Sequence, residues 1–207
     1  MTVTEAATWT DLLDWRRRVQ RQYAALHGLS VPERADRHAA FVQERERLFR
    51  THPQSPVPPE ARADRPLPYW PYDAGLAFTA ALEALPEERF VIPTSTGQDM
   101  PLVRFARLSL PFGTLDAYWI DVYGGGVFVP FRDRTSGRET YGGGRYLLDT
   151  VKGADLGAGP DGRLVLDFNF AYHPSCYYDH RWSCPLAPPA NVLNVEIRAG
   201  ERAPTPT

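Results

Sequence analysis

Between Asp167 and Asn191 the chain crowds a carboxylate (Asp167), an amide (Asn169), two imidazoles (His173, His180) and both of its cysteines (Cys176, Cys184) among Phe168, Phe170, Tyr172 and Trp182. Polar groups held among so many rings must be hydrogen-bonded, metal-bound or catalytic, because a buried polar group left unpaired costs about 1–3 kcal/mol. Upstream, Thr140-Tyr141-Gly142-Gly143-Gly144-Arg145-Tyr146 offers consecutive glycines whose amides can turn toward an anion, followed by a guanidinium able to grip a carboxylate or phosphate with two bonds. The same residues can make a tight turn with Arg145 paired to Asp133 or Asp167, and both readings stand. Without a Gly-Lys-Ser/Thr sequence or a strand-to-helix context, the glycines do not form a nucleotide loop.

Asp133, Asp167 and Glu201 are the carboxylates suited to acid–base work, since burial among rings raises proton affinity and an adjacent arginine lowers it. Each has a plainer role open to it: Asp133 and Asn169 can bond turn backbone, and Glu201 can tie down the C-terminus. The functional expectation is one hollow at the strand ends. There Asp133, Asp167 and Tyr146 would handle protons, and Arg145, Asn169, Tyr141, Tyr172, Trp119 and Phe131 would hold a polar or anionic organic molecule.

The spacing His173-x2-Cys176-x3-His180-x3-Cys184 offers four potential zinc ligands but matches no familiar zinc module, so neither metal nor cofactor is expected. Two small core hydrophobes are the first account of the cysteines. A disulfide across so short a loop would add at most roughly 2.5 kcal/mol. A catalytic cysteine would need its pKa lowered by a cation or base, for which His173, His180 and Arg181 are the neighbours in sequence.

The elements that must position these groups begin with a helix from Thr10, capped by Thr8 or Thr10, with Leu12, Leu13, Val19, Tyr23 and Leu26 at helical spacing and Gly28 at its end. Ser30-Val31-Pro32-Glu33 opens a second helix as a capping box, with Ala39, Val42 and Phe49 as its sparse apolar stripe. Seven prolines between His52 and Tyr72 predict a surface strap that docks through Tyr69, Trp70 and Tyr72. Short strands follow at Leu76–Leu82, Arg89–Pro93, Leu102–Leu108, Leu115–Val122, Val127–Phe131, Arg163–Phe170 and Leu193–Arg198, with turns at Thr96-Gly97-Gln98 and Ser136-Gly137-Arg138. With no helices between the strands, the fold class is α+β and mainly β: an antiparallel barrel or sandwich covered by two helices and the strap. One domain spans 1–207, with a helical cover at 8–50, the strap at 51–74, the β body at 75–201 and a tail at 202–207.

Phe128-Val129-Pro130-Phe131-Arg132-Asp133-Arg134-Thr135-Ser136-Gly137, the Thr140–Tyr146 segment, Asp167-Phe168-Asn169, Cys184-Pro185-Leu186 and Ala199-Gly200-Glu201 together resemble the domain-of-unknown-function 1684 family of bacteria and archaea. The resemblance runs from about Trp15 to Glu201 and implies no particular activity, because the family carries no assigned one. Its pattern has Asn-Pro where this chain has His173-Pro174 and asks for no histidine at 180, which argues against zinc as a shared structural element.

Composition limits the partners. With 23 basic and 25 acidic residues, net charge −2, the chain presents no broad positive field for nucleic acid. It has no apolar run long enough to span a membrane, and Met1–Glu5 do not begin a signal peptide, so a cytoplasmic location is expected. Lys152 is the only lysine, a bias toward arginine that high-GC coding would also produce. Three functions remain: a small-molecule enzyme, a non-catalytic ligand-binding barrel lined by Trp119, Tyr118, Phe128, Phe131, Phe168 and Tyr172, and a scaffold that docks a partner through the strap and Trp70. A homodimer is a further option.

Overall fold

The structure, a computed structural model, describes residues 3–204. Part of the N-terminal segment and the last three residues of the tail lie outside the described residues.

Helix α1 spans Val3–Ala24, so it begins before Thr8 and Thr10 and neither caps it. Its buried stripe is Val19, Tyr23 and, in the turn beyond, Leu26, while Leu13 is exposed. Helix α2 spans Val31–Thr51. Glu33 Oε2 accepts from the Ser30 backbone N–H at 2.7 Å and from Ser30 Oγ at 2.6 Å, which stabilises the first turn as expected of this sequence. The buried face of α2 includes the expected Phe49, with Val42 partly buried beside it, but is wider and half polar. It consists of Arg34, His38, Phe41, Arg45, Leu48 and Phe49, whereas Ala39 is exposed.

The proline-rich segment crosses the surface without forming a strand. It is anchored by buried Val57 and Leu67 and by backbone bonds from Trp70 N–H to Gly200 O (3.1 Å) and from Arg202 N–H to Pro68 O (2.9 Å).

Seven strands follow: β1 (Ala77–Ala80), β2 (Glu83–Pro93), β3 (Asp99–Leu110), β4 (Gly113–Ile120), β5 (Gly126–Phe131), β6 (Arg145–Asp149) and β7 (Leu164–Asp167). Strands β2 to β6 form an antiparallel meander in chain order, and β1 pairs antiparallel with β7 in a separate two-stranded sheet. The fold is therefore α+β with antiparallel sheets. Strands β2 and β6 lie at opposite edges of the meander, which forms no closed barrel among the described residues.

Two sequence expectations change here. Residues 193–198 lie beside residues 132–134 through single backbone bonds such as Leu193 N–H to Arg132 O (2.8 Å), but they bend at Asn194 and Val195 and form no strand. Arg145 and Tyr146, read with the Thr140–Tyr146 glycine segment, instead begin β6, all five residues of which are buried.

Two apolar cores result. One packs Leu108, Leu115, Phe131, Phe168 and Ile197 between the sheets and the C-terminal segment, and the other packs Tyr23, Phe41, Phe128, Tyr146 and Phe170 between the helices and the meander. Fully burying one such ring contributes roughly 1.5–3 kcal/mol. The edge-to-face pair Phe131–Phe168, with centroids 5.1 Å apart, adds to this.

Candidate functional site: a two-thiol cleft

The strand ends do not bring the expected site residues to one hollow. Arg145 is buried at the start of β6 and donates to the carbonyls of Ala199, Ile197 (2.7 Å) and Glu201 (3.2 Å), with Asp133 Oδ1 at 3.4 Å. Its guanidinium also lies over the rings of Phe131 and Trp70. Asp133 accepts from the Ile197 N–H at 2.7 Å and from the Thr135 hydroxyl. The pair thus fastens the C-terminal segment to the sheet, and buried Phe131 packs beneath it.

Asp167 and Asn169 form a second, separate clamp. Asp167 Oδ2 accepts from Arg34 Nε and from the Tyr72 hydroxyl, each at 2.8 Å, tying β7 to α2 and to the strap. Asn169 takes both backbone groups of Asp73, accepting from its N–H (2.8 Å) and donating to its carbonyl (2.9 Å). Both residues are closed off from solvent. Trp119 stands apart, 43% exposed on the outer face of the meander. Tyr118, Phe128, Phe131, Phe168 and Tyr172 are all buried in the two cores, so these rings fill the interior.

Glu201 is the hub of a third buried cluster. It faces Arg45 Nη2 at 3.4 Å and His173 Nδ1 at 3.4 Å, and it accepts from the Tyr178 hydroxyl and the His173 N–H. Burial alone would raise its pKa, but His173, Arg45 and Tyr178 outweigh burial and hold the carboxylate ionised. Burial lowers the pKa of His173 against the opposing pull of Glu201, and the Tyr141 N–H donates to its Nε2 at 3.2 Å. His180 is fully exposed and turned toward Asp179. The two histidines therefore do not face the two thiols, and no set of three or more metal-binding side chains gathers among the described residues.

The thiols do meet each other. Cys176 sits in a one-turn 3-10 helix, Ser175–Tyr177, and its backbone N–H points at Cys184 Sγ, 3.3 Å away. The loop carrying them is fixed on two sides. Arg65 of the strap donates to the carbonyls of Tyr177 and Tyr178, and Trp182 Nε1 donates to Pro56 O at 3.2 Å. On the other side, the β2–β3 turn bonds Ser95 N–H to Cys184 O (2.9 Å) and the Cys184 N–H to Ser95 Oγ (3.1 Å).

Cys176 is half-buried and Cys184 fully so. Cys184 is the largest influence lowering Cys176, to about 6, with the Ser95 and Tyr141 hydroxyls and the Lys152 charge adding to it against the opposing effect of burial. The same interaction, with burial, pushes Cys184 up. The Tyr141 hydroxyl stands 3.8 Å from Cys176 Sγ, and burial together with this neighbour raises Tyr141 to about 12, so it keeps a proton to donate. Neither His173, His180 nor Arg181 contributes to this lowering. Tyr146 also neighbours the pair: it is buried, donates to Pro185 O at 2.6 Å, and is raised by desolvation and then by Cys184.

Ser175 and Cys184 open onto a cleft of about 250 Å³ between α1, the strap and the thiol loop, walled by Leu12, Trp15, Pro56 and Trp182 and edged by Arg16, Gln54 and Lys152. Lys152 is placed there by a close approach of α1: Gly153 has φ +75°, and a Cβ on it would lie 2.9 Å from that of Gln20. Lys152 Nζ is 4.0 Å from Asp149 and 43% exposed. Arg16 is exposed and has no carboxylate within 4 Å among the described residues.

The chain matches the family described as a protein of unknown function, DUF1684, over residues 65–202. It belongs to that family. An uncharacterised protein of Haloarcula marismortui, solved by solution NMR, is similar to it at 33% identity, with 80% of this chain and 91% of that chain covered and a TM-score of 0.53. No curated protein matches it. The DUF1684 segment includes Ser95, Tyr141, Lys152, Cys176, Trp182 and Cys184, whereas the α1 wall and the Gln54–Pro56 edge of the cleft lie upstream of it.

Sequence reasoning missed Ser95, Trp15, Arg16 and the position of Lys152. Ser95 is 81 residues from Cys176 in the chain, so no spacing rule links them. The signal for Lys152 was its rarity. As the sole lysine it stood out, but composition could not say where it lay.

Proposed function

We propose that this DUF1684 protein is an enzyme acting on a small anionic organic molecule, held in the cleft between α1, the strap and the 175–184 loop, with Cys176 as the nucleophile. The observation that carries this reading is the setting of Cys176: a half-buried thiol 3.8 Å from the Tyr141 hydroxyl, whose chain neighbour Ser175 and partner Cys184 line a cleft edged by Lys152 and Arg16. A thiolate is the reactive form of cysteine, and donors that stabilise it raise its population at neutral pH. Trp15 and Trp182 supply apolar walls, and the two cations supply charge complementarity for a carboxylate or phosphate. In this reading the antiparallel body is a scaffold for the cleft rather than a barrel with a mouth. Asp133, Asp167 and Arg145 hold the scaffold together, while Tyr141 donates to the thiolate.

Alkylation with paired reagents tests the anchor and the nucleophile together. Iodoacetate carries a carboxylate and iodoacetamide does not, and both lose iodide to the attacking thiolate. The ratio of the two rates at Cys176 is expected to favour iodoacetate relative to the same ratio in the unfolded chain. Lys152→Ala should lower that preference roughly two- to five-fold, as expected of one partly exposed charge pair. A ratio equal to that of the unfolded chain and unmoved by Lys152→Ala would defeat the anionic-substrate reading.

A further inference from the structure

A single nucleophilic thiol does not need a second one against its own backbone. Here Cys184 Sγ receives the Cys176 N–H at 3.3 Å, so the second sulfur lies directly against the Cys176 backbone. Disulfide formation requires such proximity, with Cα atoms about 4.4–6.8 Å apart. The two thiols differ in setting. Cys176 is partly open beside the Tyr141 hydroxyl, whereas Cys184 is enclosed at the floor of the cleft, its backbone pinned by Ser95. Cys176, the more exposed thiol, is thus placed to meet a substrate first, while Cys184 borders the cleft but is 1% exposed and lies against the Cys176 backbone.

We propose that Cys176 and Cys184 form a dithiol–disulfide couple that exchanges with a small disulfide carrying anionic groups. This rests on the cleft reading for its choice of substrate but not for its chemistry. Cys176 thiolate attacks one sulfur of the substrate disulfide; a Cys176–substrate S–S bond forms, the substrate S–S bond breaks, and one half leaves as thiolate. Cys184 then loses its proton to that leaving thiolate and attacks Cys176 Sγ. The Cys176–Cys184 bond forms and the second half leaves as thiolate, which takes a proton from water. The protein dithiol is oxidised by two electrons and the disulfide is reduced to two thiols. Tyr141, its hydroxyl 3.8 Å from Cys176 Sγ, lies where it can stabilise the Cys176 thiolate, and Lys152 and Arg16 edge the cleft where they meet the carboxylates of the substrate.

The asymmetry also fixes the order of attack. An outer thiolate reacts first because attack depends on thiolate fraction and access, and the enclosed thiol resolves. Reversal would require the substrate to reach Cys184, which is 1% exposed.

The test treats the full chain with oxidised glutathione, an anionic disulfide, and with bis(2-hydroxyethyl) disulfide, a neutral one, reading products by intact and peptide mass. The wild type is expected to lose two hydrogens through a Cys176–Cys184 bond. Cys184→Ser should trap the glutathione adduct on Cys176, and Cys176→Ser should give neither product while keeping the wild-type melting transition. An adduct on Cys184, or a wild type that stops at the mixed disulfide, would overturn the couple. Lys152→Ala should slow the reaction with oxidised glutathione roughly two- to five-fold relative to the neutral disulfide. If the internal bond forms but the two reagents react alike in both proteins, the couple stands and the anionic cleft falls.

Discussion

Removing the Arg145 guanidinium would strip three backbone carbonyls and a buried carboxylate of their donor at once. An uncompensated buried charge on Asp133 would remain, and breaking such a pair typically costs about 3–5 kcal/mol. Arg145→Ala is therefore expected to lower the melting temperature by about 10 °C. Unchanged melting would show that the C-terminal segment is held by other contacts. At this scale the sequence left Arg145 open between ligand anchor and structural partner of Asp133, and packing decides for the partner. Residue type could name the guanidinium's capacity for bidentate bonding but not whether its partner would be a ligand or the chain's own backbone. The thiols were likewise legible as a pair close in sequence. Their activating neighbours were not, because Ser95, Tyr141 and Lys152 reach them from three different turns.

Among the elements, α2 carries the clearest physical lesson. Arg34, His38, Phe41, Arg45 and Leu48 recur at spacings of three and four, which is the period of a buried helical face. Counting only apolar residues finds Phe49 and the partly buried Val42, adds the exposed Ala39 and misses the polar positions of the face. The buried face is polar because it meets carboxylates: Arg34 meets Asp167 and Arg45 meets Glu201. The strap is held by the same device, with Asn169 satisfying both backbone groups of Asp73 and Tyr72 bonding Asp167. Asn169→Ala would remove both hydrogen bonds to the Asp73 backbone, each worth about 0.5–1.5 kcal/mol. Amide exchange at Asp73 should then quicken by roughly ten- to a hundred-fold. Protection unchanged at Asp73 would contradict the clamp. Helix content, the strap and most of the strands were legible from periodicity and proline density. Strand β6 was not, since its glycine-rich approach reads as a turn, and the 193–198 segment was over-read as a strand because its bonds go singly to residues 132–134.

For the molecule as a whole, the cleft exists only through long-range assembly. Helix α1 supplies Trp15 and Arg16, the strap supplies Pro56, the turn after β6 supplies Lys152, and the thiol loop supplies Trp182 and Cys184. No helix among the described residues is long and apolar enough to cross a membrane. The aromatic residues read as pocket lining are instead core, and the space they would have enclosed is filled by their own side chains. Assembly also sets the charge on Cys176. A thiol lowered from 9.0 to about 6 by its folded surroundings contributes stability above its unfolded value, and that contribution is lost as pH falls through about 6. The most direct measurement is the rate of iodoacetamide alkylation at Cys176 as a function of pH, read by peptide mass on the native chain. The rate is expected to rise through a midpoint near 6 and to be level by pH 8, with Cys184 unmodified throughout. A midpoint in the ordinary thiol range near 8.5, or modification of both cysteines at equal rates, would contradict the account.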